Sequence, residues 1–162
     1  MRANILISAI TVLLFSSCTK NNDFIKETLE EALPTIEITS LGLLSQVNPF
    51  NPTDVAQVTF GGSLTKTEPG VLDVAWYTNS GQLVDSIHFD NWTQAASAQT
   101  RNNSVTTEMI ASTYPNTSSF SGNLNLQLRI LPASSNYTLR VYVRTKDGTM
   151  STMAVSGLIR IK

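Results

Sequence analysis

The chain has a single histidine, His88, which lies within Asp85-Ser86-Ile87-His88-Phe89-Asp90. Acid–base or metal chemistry would have to start here. A metal site needs several donors converging on one point. Positions along one extended strand diverge, so His88 with Asp85 and Asp90 is not expected to chelate. The same three residues do not make a hydrolytic triad, because no Gly-x-Ser-x-Gly elbow and no glycine-rich oxyanion loop accompany them. Glycoside hydrolysis needs two carboxylates facing each other across a cleft. Glu68, Asp73, Asp85, Asp90 and Glu108 instead fall at expected turns or on outward strand positions. The expectation is therefore no enzyme, with a hydrolase as the distant alternative, and no catalytic residue, metal ligand or cofactor is assigned.

The only cysteine, Cys18, follows Arg2, the apolar run Ile5 to Phe15 and the small pair Ser16-Ser17. An eleven-residue, largely apolar run is too short for a membrane span, which takes about 20 residues in a helix, and the run reads as a signal peptide. A lone thiol in an exported chain cannot form an internal disulfide. The segment resembles the lipobox of bacterial lipoproteins, although Phe15 stands where leucine is usual. That resemblance implies cleavage before Cys18, a lipidated N-terminus carrying palmitate-type acyl chains, and attachment to the cell envelope, at the outer membrane. The expected organisation is a signal peptide over 1–17, a lipidated tether over 18–34 and one folded domain over 35–162. In the tether, Ile25, Leu29 and Leu33 allow at most a short helix, which is marginal alone, and Pro34 closes it.

Loss of residues 1–17 takes Arg2 with it and leaves 10 basic against 12 acidic side chains, a formal charge of −2. Such a balance has no electrostatic footprint for nucleic acid. The membrane is expected as a partner only through the lipid at Cys18. Fourteen per cent charged and 41% hydrophobic residues are compatible with a packed core, and a chain of this length fits one domain.

The elements that would position any site are strands. From Tyr137, the side chains of Tyr137, Leu139, Val141 and Val143 alternate with Thr138, Arg140, Tyr142 and Arg144, the period of a half-buried strand. Other expected strands are Thr35 to Leu41, Val55 to Leu64 with a bulge or close approach at Gly61-Gly62, and Val71 to Thr78 with Leu72, Val74 and Trp76 inward. A tight turn at Asn79 to Gly81 leads into Gln82 to Phe89, where Leu83, Ile87 and Phe89 share a phase. Ser104 to Ala111 is followed by Phe120 to Leu131, with Leu124, Leu126, Leu128 and Ile130 alternating. After a turn at Asp147-Gly148, Thr149 to Lys162 puts Met153, Val155, Ile159 and Ile161 in phase, with a bulge at Gly157. Pro49 and Pro52 keep Asn48 to Pro52 out of a regular ladder. The polar stretch Asp90 to Asn103 can span the height of a sandwich at about 3.3 Å per residue and is expected to carry the chain from one sheet to the other.

Leu131-Pro132 followed by Tyr137 and alternating β-formers resembles strand F of immunoglobulin-like and fibronectin type III-like domains. There a tyrosine hydroxyl bonds back to the upstream backbone, and a tryptophan on the third strand fills the core. The resemblance covers about half of the chain. It implies an all-β, antiparallel β-sandwich of seven to eight strands, with Tyr137 as the corner and Trp76 as core. It further implies that the third, fourth, seventh and last strands share a sheet. The outward phases of that sheet carry Tyr77, His88, Arg140, Tyr142 and Arg144, a candidate binding face for a glycan or an envelope protein, because tyrosine and arginine are enriched at binding hot spots. Against that reading stands a plain cross-strand pairing of Tyr77 with Tyr142. A structural subunit that pairs through its strand edges is the alternative function.

Overall fold

The computed structural model describes residues 27–28, 35–44, 48–92, 97–151 and 153–162. Cys18, the expected signal peptide over 1–17 and nearly all of the expected tether lie outside them. Ten strands follow one another: β1 (Thr35–Leu43), β2 (Val55–Thr65), β3 (Pro69–Thr78), β4 (Leu83–Phe89), β5 (Ser97–Thr100), β6 (Asn103–Ala111), β7 (Thr117–Gln127), β8 (Ser135–Thr145), β9 (Ala154–Val155) and β10 (Ile159–Ile161). They form two antiparallel sheets of five strands. One has the order β1-β2-β7-β6-β5; the other has β10-β8-β3-β4, with β9 also paired to β8. This is a β-sandwich. The expected seven to eight strands become ten because the final strand is broken in two and β5 was hidden in the polar stretch before Asn103.

Alternation builds the core. Ala56, Val58, Phe60 and Leu64 of β2 face Leu72, Val74 and Trp76 of β3 and Leu139, Val141 and Val143 of β8, all of them buried. Each large apolar side chain removed from water contributes about 1.5–3 kcal/mol against the entropy of ordering it. In the β2–β7 ladder Phe60 is opposite Gly122, and Gly62 is opposite Phe120. Each phenyl ring thus covers the glycine across from it. A Cβ on Gly62 would fall 1.9 Å from the Glu37 carbonyl oxygen and one on Gly122 would fall 2.5 Å from the Phe60 ring. The close approach expected here is real. The bulge, however, lies on the neighbouring β1, where the register shifts between Ile38 and Ser40.

Trp92 completes this cluster. Its ring packs edge-on against Phe120 at 5.2 Å and against Phe60 at 6.0 Å, and it is fully buried. The segment read as polar therefore contributes one of the largest core side chains. Its two ends lie in different sheets and at opposite ends of the sandwich: Phe89 is paired with Leu72 near the start of β3, whereas Asn103 Oδ1 accepts from the Gln127 amide at the far end of β7.

Other differences have local causes. Leu83 is 52% exposed rather than inward, because the β3–β4 register shifts between Trp76/Asp85 and Tyr77/Leu83, and the extra residue, Val84, reverses the phase. Ile130 is exposed because β7 stops at Gln127 and the chain turns, the Leu131 amide donating to the Leu128 carbonyl at 2.9 Å. Met153 and Val155 are also exposed. Two serines take their place: Ser156 Oγ accepts from the Leu139 amide at 2.9 Å, and Ser151 Oγ accepts from the Val143 amide at 3.0 Å. Gly157 falls in the gap between β9 and β10. Phe50, between the two prolines, keeps its own amide and bridges Ile161, donating to the Arg160 carbonyl at 2.8 Å.

One end of the sandwich is tied together by backbone bonds between loops. The Lys66 amide donates to the Asn116 carbonyl at 2.8 Å, and the Lys146 amide to the Glu68 carbonyl at 3.1 Å. The turns after β2, β6 and β8 thereby form one rigid rim.

Candidate functional site

Strands β4, β3 and β8 lie side by side, and their outward phases form one continuous face. Along β3 and β8, Asp73 is opposite Tyr142, Ala75 opposite Arg140, and Tyr77 opposite Thr138; across β4, Asp73 is opposite His88 and Tyr77 opposite Leu83. All five expected face residues, Tyr77, His88, Arg140, Tyr142 and Arg144, occupy this surface. Tyr77 and Tyr142 are not a directly opposed pair, because four positions of β3 separate Tyr77 from Asp73, the partner of Tyr142.

Arg140 leans diagonally across the small Ala75. Its guanidinium carbon sits 3.8 Å from the Tyr77 ring centroid. A cation over an aromatic face contributes about 0.5–1 kcal/mol at an exposed site. The Nε of Arg140 is buried without an acceptor. Tyr142 is half-buried, and its hydroxyl is held above the ordinary tyrosine range, first by burial and then by the negative charge of Asp73, with Arg144 opposing.

His88 is clasped from both sides. Nδ1 lies 2.5 Å from Asp73 Oδ1, and Nε2 lies 3.0 Å from Asp90 Oδ1. The bond to Asp73 is the main reason the imidazole is held above its usual value, partial burial opposing it and Asp90 assisting. Both ring nitrogens are engaged by carboxylates, so the imidazole presents no free nitrogen lone pair. Among the described residues no group of three or more His, Cys, Asp or Glu side chains could hold a metal ion. Asp85, grouped with His88 on sequence spacing, goes elsewhere: its carboxylate receives Arg101 Nη1 and Nη2 at 3.2 and 3.1 Å. That pair fastens the β5–β6 turn to β4.

At the loop rim this face runs into a groove of about 620 Å³ lined by Pro69, Gly70, Val71, His88, Asp90, Asn91 and Arg144 to Lys146. It exists because β3 bulges at Gly70, where the register with β8 shifts between Pro69 and Val71. A Cβ at Gly70 would meet the Arg144 carbonyl oxygen at 2.6 Å. Beside the groove, on the exposed rim, Lys146 Nζ is 2.5 Å from Glu68 Oε2.

The two residues assigned structural roles lie inside. Trp76 is fully buried, and Tyr137 is buried with its hydroxyl donating to the Pro132 carbonyl at 2.7 Å. Sequence reasoning missed Asp73 and Leu83 as members of the face. Asp73 shares the phase of Tyr77 and was open to the same alternation argument, whereas Leu83 depends on a bulge with no compositional mark.

Among the described residues no helix is long and apolar enough to cross a membrane. No family model matches the sequence, and no curated protein matches it. Among solved structures the chain is similar to a DUF4466 family protein from Parabacteroides merdae, with a TM-score of 0.45 at 9% identity over 79% of this chain and 46% of that one. It is also similar to Astrotactin-2, a vertebrate-specific, perforin-like membrane protein, with a TM-score of 0.42 at 12% identity over 79% of this chain and 22% of that one. The chain thus spans about half the length of the first and about a fifth of the second.

Proposed function

We propose that this protein is a non-catalytic binding module of the bacterial cell envelope, anchored by a lipid on Cys18, that recognises a glycan or a partner protein of an outer-membrane complex through the outer face of β3, β4 and β8. The observation that carries this reading is the stacked Arg140–Tyr77 pair beside half-buried Tyr142. Rigid aromatic and guanidinium groups offer large contact area at low entropic cost, as binding hot spots do. The finer fold assignment, an immunoglobulin-like or fibronectin III-like domain, is supported by the strand order and by the Tyr137 hydroxyl on the Pro132 carbonyl.

Replacing Tyr77 and Tyr142 together by alanine should abolish capture on a glycan array or in an envelope-protein pull-down while the chain still folds cooperatively, with a midpoint lowered only by the loss of these partly buried rings. Undiminished capture would refute the assignment of this face. Anchoring is tested separately. The N-terminal peptide should carry acyl chains at Cys18, and a Cys18→Ser variant that is still processed and still sediments with membranes would refute it.

The second reading, assembly through a strand edge, is favoured by one observation: Met150, Met153, Val155 and Leu158 are all exposed along the broken final strand. β10 is covered by the Asn48–Phe50 segment, but β9 pairs only with β8 among the described residues, and an open edge of that kind is a template for another chain.

A further inference from the structure

We propose that the ligand of the β3–β4–β8 face is an extended acidic glycan, a uronic-acid-containing chain whose carboxylates seat on Arg144 and Arg140. This rests on the binding reading above and specifies its chemistry. Arg140 and Arg144 are four residues apart on one strand and share one phase, so their attachment points are separated by about 13 Å. Among the described residues no carboxylate lies within ion-pair distance of either guanidinium. Among the described residues the hydrogen-bond partner of the Arg144 guanidinium is the Met150 sulfur, at 3.8 Å. Asp73, the acidic residue nearest to them on the face, is already held by His88.

Arg140 carries the second observation. Its Nε is buried and has no acceptor, and a desolvated donor left without a partner is costly. An anionic group arriving from outside would meet the Nη groups of the same guanidinium, which are not buried and likewise have no carboxylate partner among the described residues. Arg144 stands at the mouth of the groove, where a carboxylate can be gripped bidentately. Asp90, whose side chain is 94% exposed, and Asn91 supply acceptor and donor groups for ring hydroxyls in the same groove. Tyr142, half-buried between the two arginines, is an aromatic side chain against which a pyranose can pack. Charge, hydroxyl partners and a stacking surface therefore occur in the order that a linear acidic sugar chain needs.

The test titrates the folded chain, by calorimetry, with an oligogalacturonate and with an uncharged cello-oligosaccharide of equal length, at low and at raised salt. The oligogalacturonate should bind, weaken as salt rises, and outbind the neutral oligomer by about tenfold or more. Arg144→Gln should remove most of that advantage, and Arg144→Lys should retain part of it, with an unchanged melting midpoint in both. Equal binding of the two oligomers, or native-like binding by Arg144→Gln, would overturn the acidic ligand while leaving the face itself standing. If neither oligomer binds, the proposal falls as well. The Tyr77→Ala, Tyr142→Ala pull-down then decides separately whether the face recognises anything.

Discussion

Arg140 stacks on Tyr77 at 3.8 Å although the register places Arg140 opposite Ala75 and Tyr77 opposite Thr138. The diagonal reach is possible because Ala75 has no side chain beyond Cβ. Ala75 is in an outward phase and yet only 2% exposed, as it must be if longer side chains beside it lie across it. A small residue at the centre of the face thus lets its neighbours assemble into one surface.

The Tyr137 hydroxyl fixes the approach to β8 by donating to the Pro132 carbonyl. Tyr137→Phe leaves that carbonyl without its donor and should cost about 1–3 kcal/mol. Chemical denaturation measures it, and an unchanged midpoint would show that the corner contributes nothing.

Trp92 joins the β4–β5 crossing to the Phe60–Phe120 cluster. Trp92→Ala should destabilise by about 3–5 kcal/mol, the range for removing a large buried aromatic side chain. Ile110→Ala, at a side chain 59% exposed, should change the stability by no more than about 0.5 kcal/mol. Comparable losses at both positions would refute the placement of Trp92.

The inward phases of β2, β3 and β8 follow directly from alternation, since Val58 and Phe60, Val74 and Trp76, and Leu139 and Val141 each obey a period of two without interruption. Trp92 escaped that reasoning because it stands among asparagine and threonine with no periodic neighbours. Leu83 escaped it because Val84 adds one residue to β4 and reverses the phase. At the final strand, hydroxyls of Ser151 and Ser156 replace ladder partners, so polar residues lie inward and Met153 and Val155 face out. The candidate face was legible to the same extent as the strands: phase places Tyr77, Arg140, Tyr142 and Arg144 on one side. Register alone decides which side chains meet across strands, and that is why His88 meets Asp73 of β3 as well as the neighbouring Asp90.

The His88 clasp has a defined pH dependence. Its imidazole is held above the ordinary value chiefly by Asp73, with Asp90 assisting. A group whose pKa is raised on folding contributes stability that is fully present below the unfolded value, about 6.5, and that is lost as pH rises through the folded value. Asp73→Asn should therefore lower the melting midpoint most below about pH 6.5, and the difference from the native chain should shrink on the alkaline side. An imidazole NMR titration should move to lower pH in the variant. A midpoint difference independent of pH, or an unmoved titration, would show that the clasp is not charged.

The surface assignment is tested most directly by amide chemical shifts recorded while a captured glycan or partner is titrated into the isotope-labelled folded chain. The account predicts perturbations concentrated at Asp73 to Tyr77, Ser86 to Asp90 and Arg140 to Arg144, with the outer face of the β1-β2-β7-β6-β5 sheet unaffected. Perturbations confined to that opposite sheet, or to the Met150–Leu158 edge, would contradict it.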